Sequence, residues 1–343
     1  MFRKDENLIF RKIVSASKIV ERYPAIWHDD YKKRLFDISC PEGCVHSGKL
    51  RITRWNALPL PEIICNDDIS TEFVFKNDTF QYKTHSDDNL IEWYLNFADG
   101  DLFLSYGSEL MAQDEHQVAE HPILGSVREM LSTLSETDIS YEPCTRDYNK
   151  TGYHPPTPIL IMGVERRIVI DTSTNADEGR PDGLYGNLFR AASWETVEKA
   201  IRPLEPPSVT NIIAMEAPSG GKGNYTLEQI IDIFKTAYTS FFAARTESQA
   251  CAGESVEIKI HTGNWGTGAY GGNKILMAYL QFLSAAAAKI DTFVFHSLDS
   301  KSCQKAYQLF VRKIETCQSE INVMKLLREL ADLGFQWGES DGN

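Results

Sequence analysis

Residues 261–274 read HTGNWGTGAYGGNK. Five glycines fall between Gly263 and Gly272, with the apolar run VEIKI (256–260) before them and ILMAYLQFLSAAAA (275–288) after them. Strand, glycine loop and helix in that order predict a phosphate cradle. Glycines let the backbone wrap an anion without Cβ clashes, and a helix start offers N–H groups and a favourable dipole. The loop does not end in Gly-Lys-Ser/Thr, which excludes a Walker A site. It does contain GxGxxG, at Gly266, Gly268 and Gly271, and Asp299 follows the next strand. A nicotinamide domain would still need further strands, and only about 70 residues remain to supply them. The plain alternative is a tight turn packed under the alanine-rich helix.

Outward from the loop, strands alternate with helices. The runs 91–97, 158–163, 166–172, 209–217, 255–263 and 291–297 read as strands. Helices are predicted over 121–134, over 225–244 with a Thr226/Gln229 capping box, and across 301–333. The pattern predicts an α/β layer architecture. Residues 5–22 have roughly helical apolar spacing. The first 85 residues read as a partly helical accessory region, and 86–343 as the main domain. Residues 173–190 form a long Gly/Asp loop of the kind that is functional or disordered. GESDGN (338–343) reads as a frayed tail.

The 343-residue chain carries 48 acidic and 35 basic residues, for a net charge of −13. That balance argues against nucleic acid as a partner. No run is long and apolar enough to span or insert into a membrane, and lysines and arginines interrupt any signal-peptide core. The expectation is a soluble protein, monomeric, acting in cytoplasm or nucleus, with export by a signal-less route left open. Seven scattered cysteines make a disulfide framework unexpected. Cys40, Cys44, His46 and Cys65 could gather round zinc, but their spacing matches no standard knuckle. They are expected as reduced thiols, with no metal and no cofactor.

Thr262-Gly263-Asn264-Trp265-Gly266, and the glycines and alanines after it, resemble the catalytic domain of the poly(ADP-ribose) glycohydrolase family. That family has TGNWGCGAFGGD before a helix ending in an alanine run. Here Thr267 replaces the Cys, Tyr270 the Phe and Asn273 the Asp. The resemblance implies a macrodomain-like mixed sheet flanked by helices. It implies that Gly263, Asn264, Trp265, Gly266, Thr267, Gly268, Ala269 and Tyr270 cradle the diphosphate of ADP-ribose, with Tyr270 over the distal ribose.

A second block agrees with the family without a gap. NFADGDLFLSYGSELMAQDEHQVAEHP (96–122) aligns Asn96-Phe97-Ala98-Asp99 with the family's DFAN and Gln113-Asp114-Glu115 with its Gln-Glu-Glu. Three family glycines are replaced by Phe103, Leu104 and Ser105. By the resemblance Glu115 is the acid/base, Asp114 and Gln113 position ribose hydroxyls, and Asn96, Phe97 and Asp99 contact the adenosine half. Tyr185 is the candidate stacking tyrosine. Glu216 stands near a family Asp. The chemistry suits these residue types. Cleaving a ribose C1″ bond needs an acid for the leaving group and a base for water, and adjacent carboxyls in a pocket hold a proton near neutrality. On residue pattern alone, QDEHQ reads rather as a solvated helix start, and His261 and His296 as structural histidines.

The resulting expectation is a hydrolase that releases ADP-ribose from ADP-ribosylated protein. The acidic charge favours mono-ADP-ribose, including arginine-linked, over a polyanionic chain. The alternatives are a catalytically inactive ADP-ribose reader, motivated by the missing glycines, and a nicotinamide oxidoreductase.

Overall fold

The computed structural model describes residues 6–82, 89–317 and 319–342. The elements run β1 (Leu8–Ser15), α1 (Ala16–Arg22), α2 (Asp30–Ser39), β2 (Lys49–Trp55), β3 (Ile63–Cys65), β4 (Glu72–Lys76), β5 (Leu90–Ala98), α3 (Gln113–Glu120) and α4 (Ile123–Ser135). They continue with β6 (Ile159–Ile170), α5 (Leu188–Ala191), α6 (Trp194–Lys199), β7 (Ile201–Glu216), α7 (Leu227–Ala252), β8 (Glu257–Thr262), α8 (Lys274–Ala288), β9 (Thr292–His296), α9 (Ser300–Thr316), β10 (Glu320–Asn322) and α10 (Val323–Asp332).

Eight strands form one mixed sheet in the order β1-β2-β6-β7-β5-β8-β9-β4. The pairs from β1 to β7 are antiparallel, and those from β7 through β5, β8 and β9 to β4 are parallel. The strands at the centre are apolar on both sides, as a sheet covered on both faces requires. On β5, Trp93 and Leu95 join the core under α7 and α8, while Tyr94 and Ala98 join the core under α4. On β7, Ile213 and Met215 face the first core, and Ile212 and Ala214 the second. This is the α/β architecture expected, a mixed sheet flanked by helices.

Several expectations change. Residues 8–15 are a strand, not helix: the open edge of β2 pairs with them, and Phe10, Ile13 and Val14 suit a pleated edge. The runs 158–163 and 166–172 merge into one strand, with Gly163 at φ +82 where the register to β7 shifts. A boundary at 85 does not follow the sheet, since β1, β2 and β4 all come from before it; residues 83–88 lie outside the described residues.

The loop 173–190 is pinned by Arg180. Its guanidinium reaches Asp171 Oδ2 at 2.8 Å and Glu178 Oε2 at 2.6 Å, and donates to the Asp171 carbonyl at 3.0 Å. The described part of the tail is not frayed. Trp337 stacks on Tyr225 at 4.2 Å, and the Gly338 N–H donates to the Gly271 carbonyl at 2.8 Å.

Candidate active site

Because β7, β5, β8 and β9 are parallel, their carboxyl ends share one edge of the sheet, where ligands of open α/β sheets bind. A cavity of about 410 Å³ opens there, within the usual range for small-molecule sites (about 300–1,000 Å³). Its walls are the end of β5, the start of α3, the loop after β8, Tyr185 and one residue of the tail.

The glycine loop shows why its residues are small. Gly266 has φ +72, and a Cβ there would lie 2.5 Å from the Ala217 Cβ. Trp265 is fully buried and donates Nε1–H to the Met215 carbonyl at 3.0 Å, anchoring the loop to β7. The fold uses the N–H groups of Trp265, Thr267, Gly271 and Gly272 in internal turns. The start of α8 is capped from within: Asn273 Oδ1 accepts from the Ile275 and Leu276 N–H groups, each at 3.1 Å. Those two helix N–H groups are therefore taken, and the part of the loop that lines the cavity is the stretch from Asn264 to Tyr270.

Across the cavity, α3 begins with Gln113, Asp114 and Glu115. Both acids are buried. Desolvation raises the Asp114 carboxyl well above its ordinary range, and the neighbouring Glu115 adds to the shift. Desolvation likewise raises Glu115, against an opposing pull from Lys32. Among the described residues Glu115 Oε2 has no hydrogen-bond partner. An unpaired carboxyl oxygen that deep costs free energy unless a ligand uses it.

Phe97, Asp99, Gln113, Asp114, Glu115, Tyr185 and the whole of 264–270 line this cavity. Two expected residues do not. Gly263 stays behind the loop, its Cβ position 2.7 Å from the His296 carbonyl. Asn96 is fully buried and donates to Asp114 Oδ1 at 3.0 Å, so it holds the acid in place and reaches no ligand in this geometry. Gln113 is also committed: its Oε1 accepts from the Phe97 N–H at 2.7 Å and its Nε2 donates to the Leu95 carbonyl at 3.0 Å. It clamps α3 to β5 with one N–H and one lone pair of its amide. The hydroxyl of Tyr270 donates to Asp99 Oδ2 at 3.2 Å, closing one side of the cavity.

The three non-glycine replacements do not fill the site. Phe103 adopts φ +55, the backbone region that favours glycine, and its ring is fully buried in the core under α4. Leu104 is exposed, and of the three only Ser105 reaches the cavity wall.

Glu216 is held by Arg146 at 2.7 Å and does not line the cavity. His261 and His296 bond each other at 3.0 Å, with Asp78 2.8 Å beyond His296, and lie outside the lining.

Two residues escaped the sequence reading. Lys32 is fully buried; desolvation lowers its ammonium to about 8, and the charges of Glu115, Asp29 and Asp114 oppose that shift. Its signal was position: Lys32, Leu35 and Ser39 form the buried stripe of α2, and a lysine on such a stripe needs an acidic partner. Asp341 also lines the cavity, with its carboxylate against Gly268. Nothing in the tail's composition signalled that.

Residues 183–305 match the sequence profile of the poly(ADP-ribose) glycohydrolase catalytic domain, a macro domain fold. The match takes in Tyr185 and the glycine loop and leaves the 96–122 block outside it. Over residues 183–305, about a third of the chain, the sequence is similar to that catalytic domain. Similar solved structures include poly(ADP-ribose) glycohydrolase from Thermomonospora curvata, at 15% identity over 88% of this chain and 85% of that one, with a TM-score of 0.36. The same enzyme bound to the inhibitor ADP-HPD gives 15% identity, 87% and 96% coverage and a TM-score of 0.42. The Deinococcus radiodurans enzyme in complex with ADP-ribose gives 14% identity, 89% and 94% coverage and 0.39. Among the described residues no helix is long and apolar enough to cross a membrane.

Proposed function

We propose that this chain is a divergent relative of the poly(ADP-ribose) glycohydrolases and an ADP-ribosyl hydrolase, which cleaves the bond between C1″ of the distal ribose and its acceptor. The observation that carries the reading is the buried Glu115 carboxyl, with one oxygen unpaired among the described residues, facing a glycine loop across one cavity. The loop backbone from Gly266 to Tyr270 takes the diphosphate, and Tyr185 and Tyr270 flank the sugar.

Burial raises Glu115 and so favours its protonated form, the form that acts as the acid. It gives its proton to the leaving group as the C1″ bond breaks and positive charge develops on the ribose. The resulting carboxylate lies beside that charge, takes a proton from water, and the water oxygen bonds to C1″. Asp114, kept neutral by the same burial, donates to a ribose hydroxyl while Asn96 fixes its other oxygen. Lys32 keeps Glu115 from rising so far that it could not give up its proton.

Mono-ADP-ribose on protein, including an arginine-linked form, is the favoured substrate. The net charge of −13 disfavours a long polyanion, and Asp99 and Asp341 add acid at the rim. The inactive-reader alternative rested on Phe103–Ser105 blocking the site. The burial of Phe103 and exposure of Leu104 weaken that ground. Incubation with mono- and poly-ADP-ribosylated proteins, reading free ADP-ribose by mass spectrometry, tests the proposal. Release from neither refutes it, and faster release from polymer reverses the substrate preference.

A further inference from the structure

Three residues far from the cavity in function converge at the end of α2. Cys40 caps that helix, its N–H donating to the Phe36 carbonyl at 2.7 Å. The chain then turns through Gly43 at φ +84, with the Cys44 N–H on the Pro41 carbonyl at 2.9 Å. That turn returns Cys44 towards Cys40, and His46 follows two residues on. The sulfurs of Cys40 and Cys44 and a ring nitrogen of His46 all lie within 4.8 Å of one another.

We propose that Cys40, Cys44 and His46 bind a zinc ion. Tetrahedral zinc, with bonds of about 2.3 Å to sulfur and about 2.0 Å to nitrogen, sets a sulfur and a nitrogen ligand roughly 3.6 Å apart. Cys40 Sγ and His46 Nε2 are 3.6 Å apart. Two sulfur ligands would stand roughly 3.8 Å apart, so Cys44 needs to close by about 1 Å at most.

The surroundings of His46 fit a metal ligand. Its Nδ1 lies 3.0 Å from Glu165 Oε2. Glu165 already accepts from the Ser47 N–H at 2.8 Å, the Ser47 hydroxyl at 2.9 Å and Arg167 Nη2 at 2.7 Å. A carboxylate so placed accepts from Nδ1–H and fixes the tautomer that leaves the Nε2 lone pair towards Cys40. This carboxylate–histidine support is the usual partner of a zinc-bound imidazole.

Cys65 lies outside the group, exposed in β3 and paired with β10. Among the described residues no fourth His, Cys, Asp or Glu joins it. The fourth position therefore falls to water or a small anion. The spacing alone argued for free thiols because Cys-x3-Cys-x-His is no standard knuckle; what it could not show was Glu165, which lies on β6. The ion would tie the end of α2 to β6, and with it the helix that carries Lys32 to the carboxylates.

The test uses the full chain, purified without chelator. Metal analysis is expected to find a single zinc per chain. Replacing it with Co2+ is expected to give the intense near-ultraviolet thiolate-to-cobalt band and the visible bands of tetrahedral cobalt. Cys40→Ser and Cys44→Ser should each lose at least half of the thiolate band, and Cys65→Ser should keep it. In the unchanged chain, removing the zinc with a chelator should speed iodoacetamide modification of Cys40 and Cys44 at least tenfold, by peptide mass spectrometry, restoring zinc should reverse this, and Cys65 should be unaffected. That measurement decides the matter if a variant fails to fold. Absence of a thiolate–cobalt band, a band undiminished in both variants, or alkylation indifferent to zinc overturns the proposal.

Discussion

Asn96 donates its side-chain amide to Asp114 Oδ1 at 3.0 Å, and its own Oδ1 has no partner among the described residues. A fully buried amide on β5 thus serves one oxygen of an acid on α3. Asp114 is raised from 3.8 to about 8, first by desolvation and then by Glu115. Between those values the folded chain holds a proton that the unfolded chain has lost. Its contribution to stability is present in full below pH 3.8 and is lost as pH rises towards about 8. Asp114→Asn keeps an acceptor for Asn96 and removes the titration. Urea unfolding should show the variant losing less stability between pH 4.5 and 8 than the parent. Parallel slopes would mean that Asp114 is not buried in its charged form's unfavourable setting.

Lys32 lowers the affinity of Glu115 for its proton. As the acid, Glu115 must be protonated, so activity falls as pH rises through its pKa. Lys32→Met removes the opposing charge and should move the alkaline limb of kcat/KM to higher pH. A merely structural lysine would lower stability and leave the limb in place.

Asp341 sets a carboxylate against Gly268, where the diphosphate is proposed to bind. Asp341→Asn removes a like charge at close range. Calorimetry should show ADP-ribose binding tighter by roughly 3- to 10-fold. Unchanged or weaker binding would show that the tail does not oppose the ligand.

Phe103 occupies a left-handed backbone position at φ +55 with its ring fully buried. Phe103→Gly relieves about 1–2 kcal/mol of backbone cost but empties a core site worth about 3–5 kcal/mol. The variant should be destabilised by roughly 1–4 kcal/mol in urea unfolding. A stabilised variant would mean that the ring contributes little to the core.

The part of the fold written in local pattern was legible in the sequence. The apolar runs of β5, β7 and β8, the Thr226 cap of α7 and the glycine loop all read directly, because each depends on neighbours in the chain. β1 did not, since its partner β2 lies some forty residues away and only that free edge makes a strand of it. The site divides the same way. Gln113, Asp114, Glu115 and residues 264–270 came from two contiguous blocks, and the fold gathers them round one cavity. Lys32 and Asp341 come from distant segments, and their charges matter only through three-dimensional proximity. Asn96 and Gln113 were placed near the site, but their hydrogen bonds face the protein, which a linear motif cannot show.

The most direct measurement compares the parent chain with Glu115→Gln on a mono-ADP-ribosylated protein, following free ADP-ribose by mass spectrometry and ADP-ribose binding by calorimetry. The amide is close to isosteric and cannot donate the acid's proton. The parent should release ADP-ribose, and the variant should release it at least about 100-fold more slowly while binding within a few-fold of the parent. Release by the variant at the parental rate, or no release by either chain, would contradict Glu115 as the acid/base of a hydrolase.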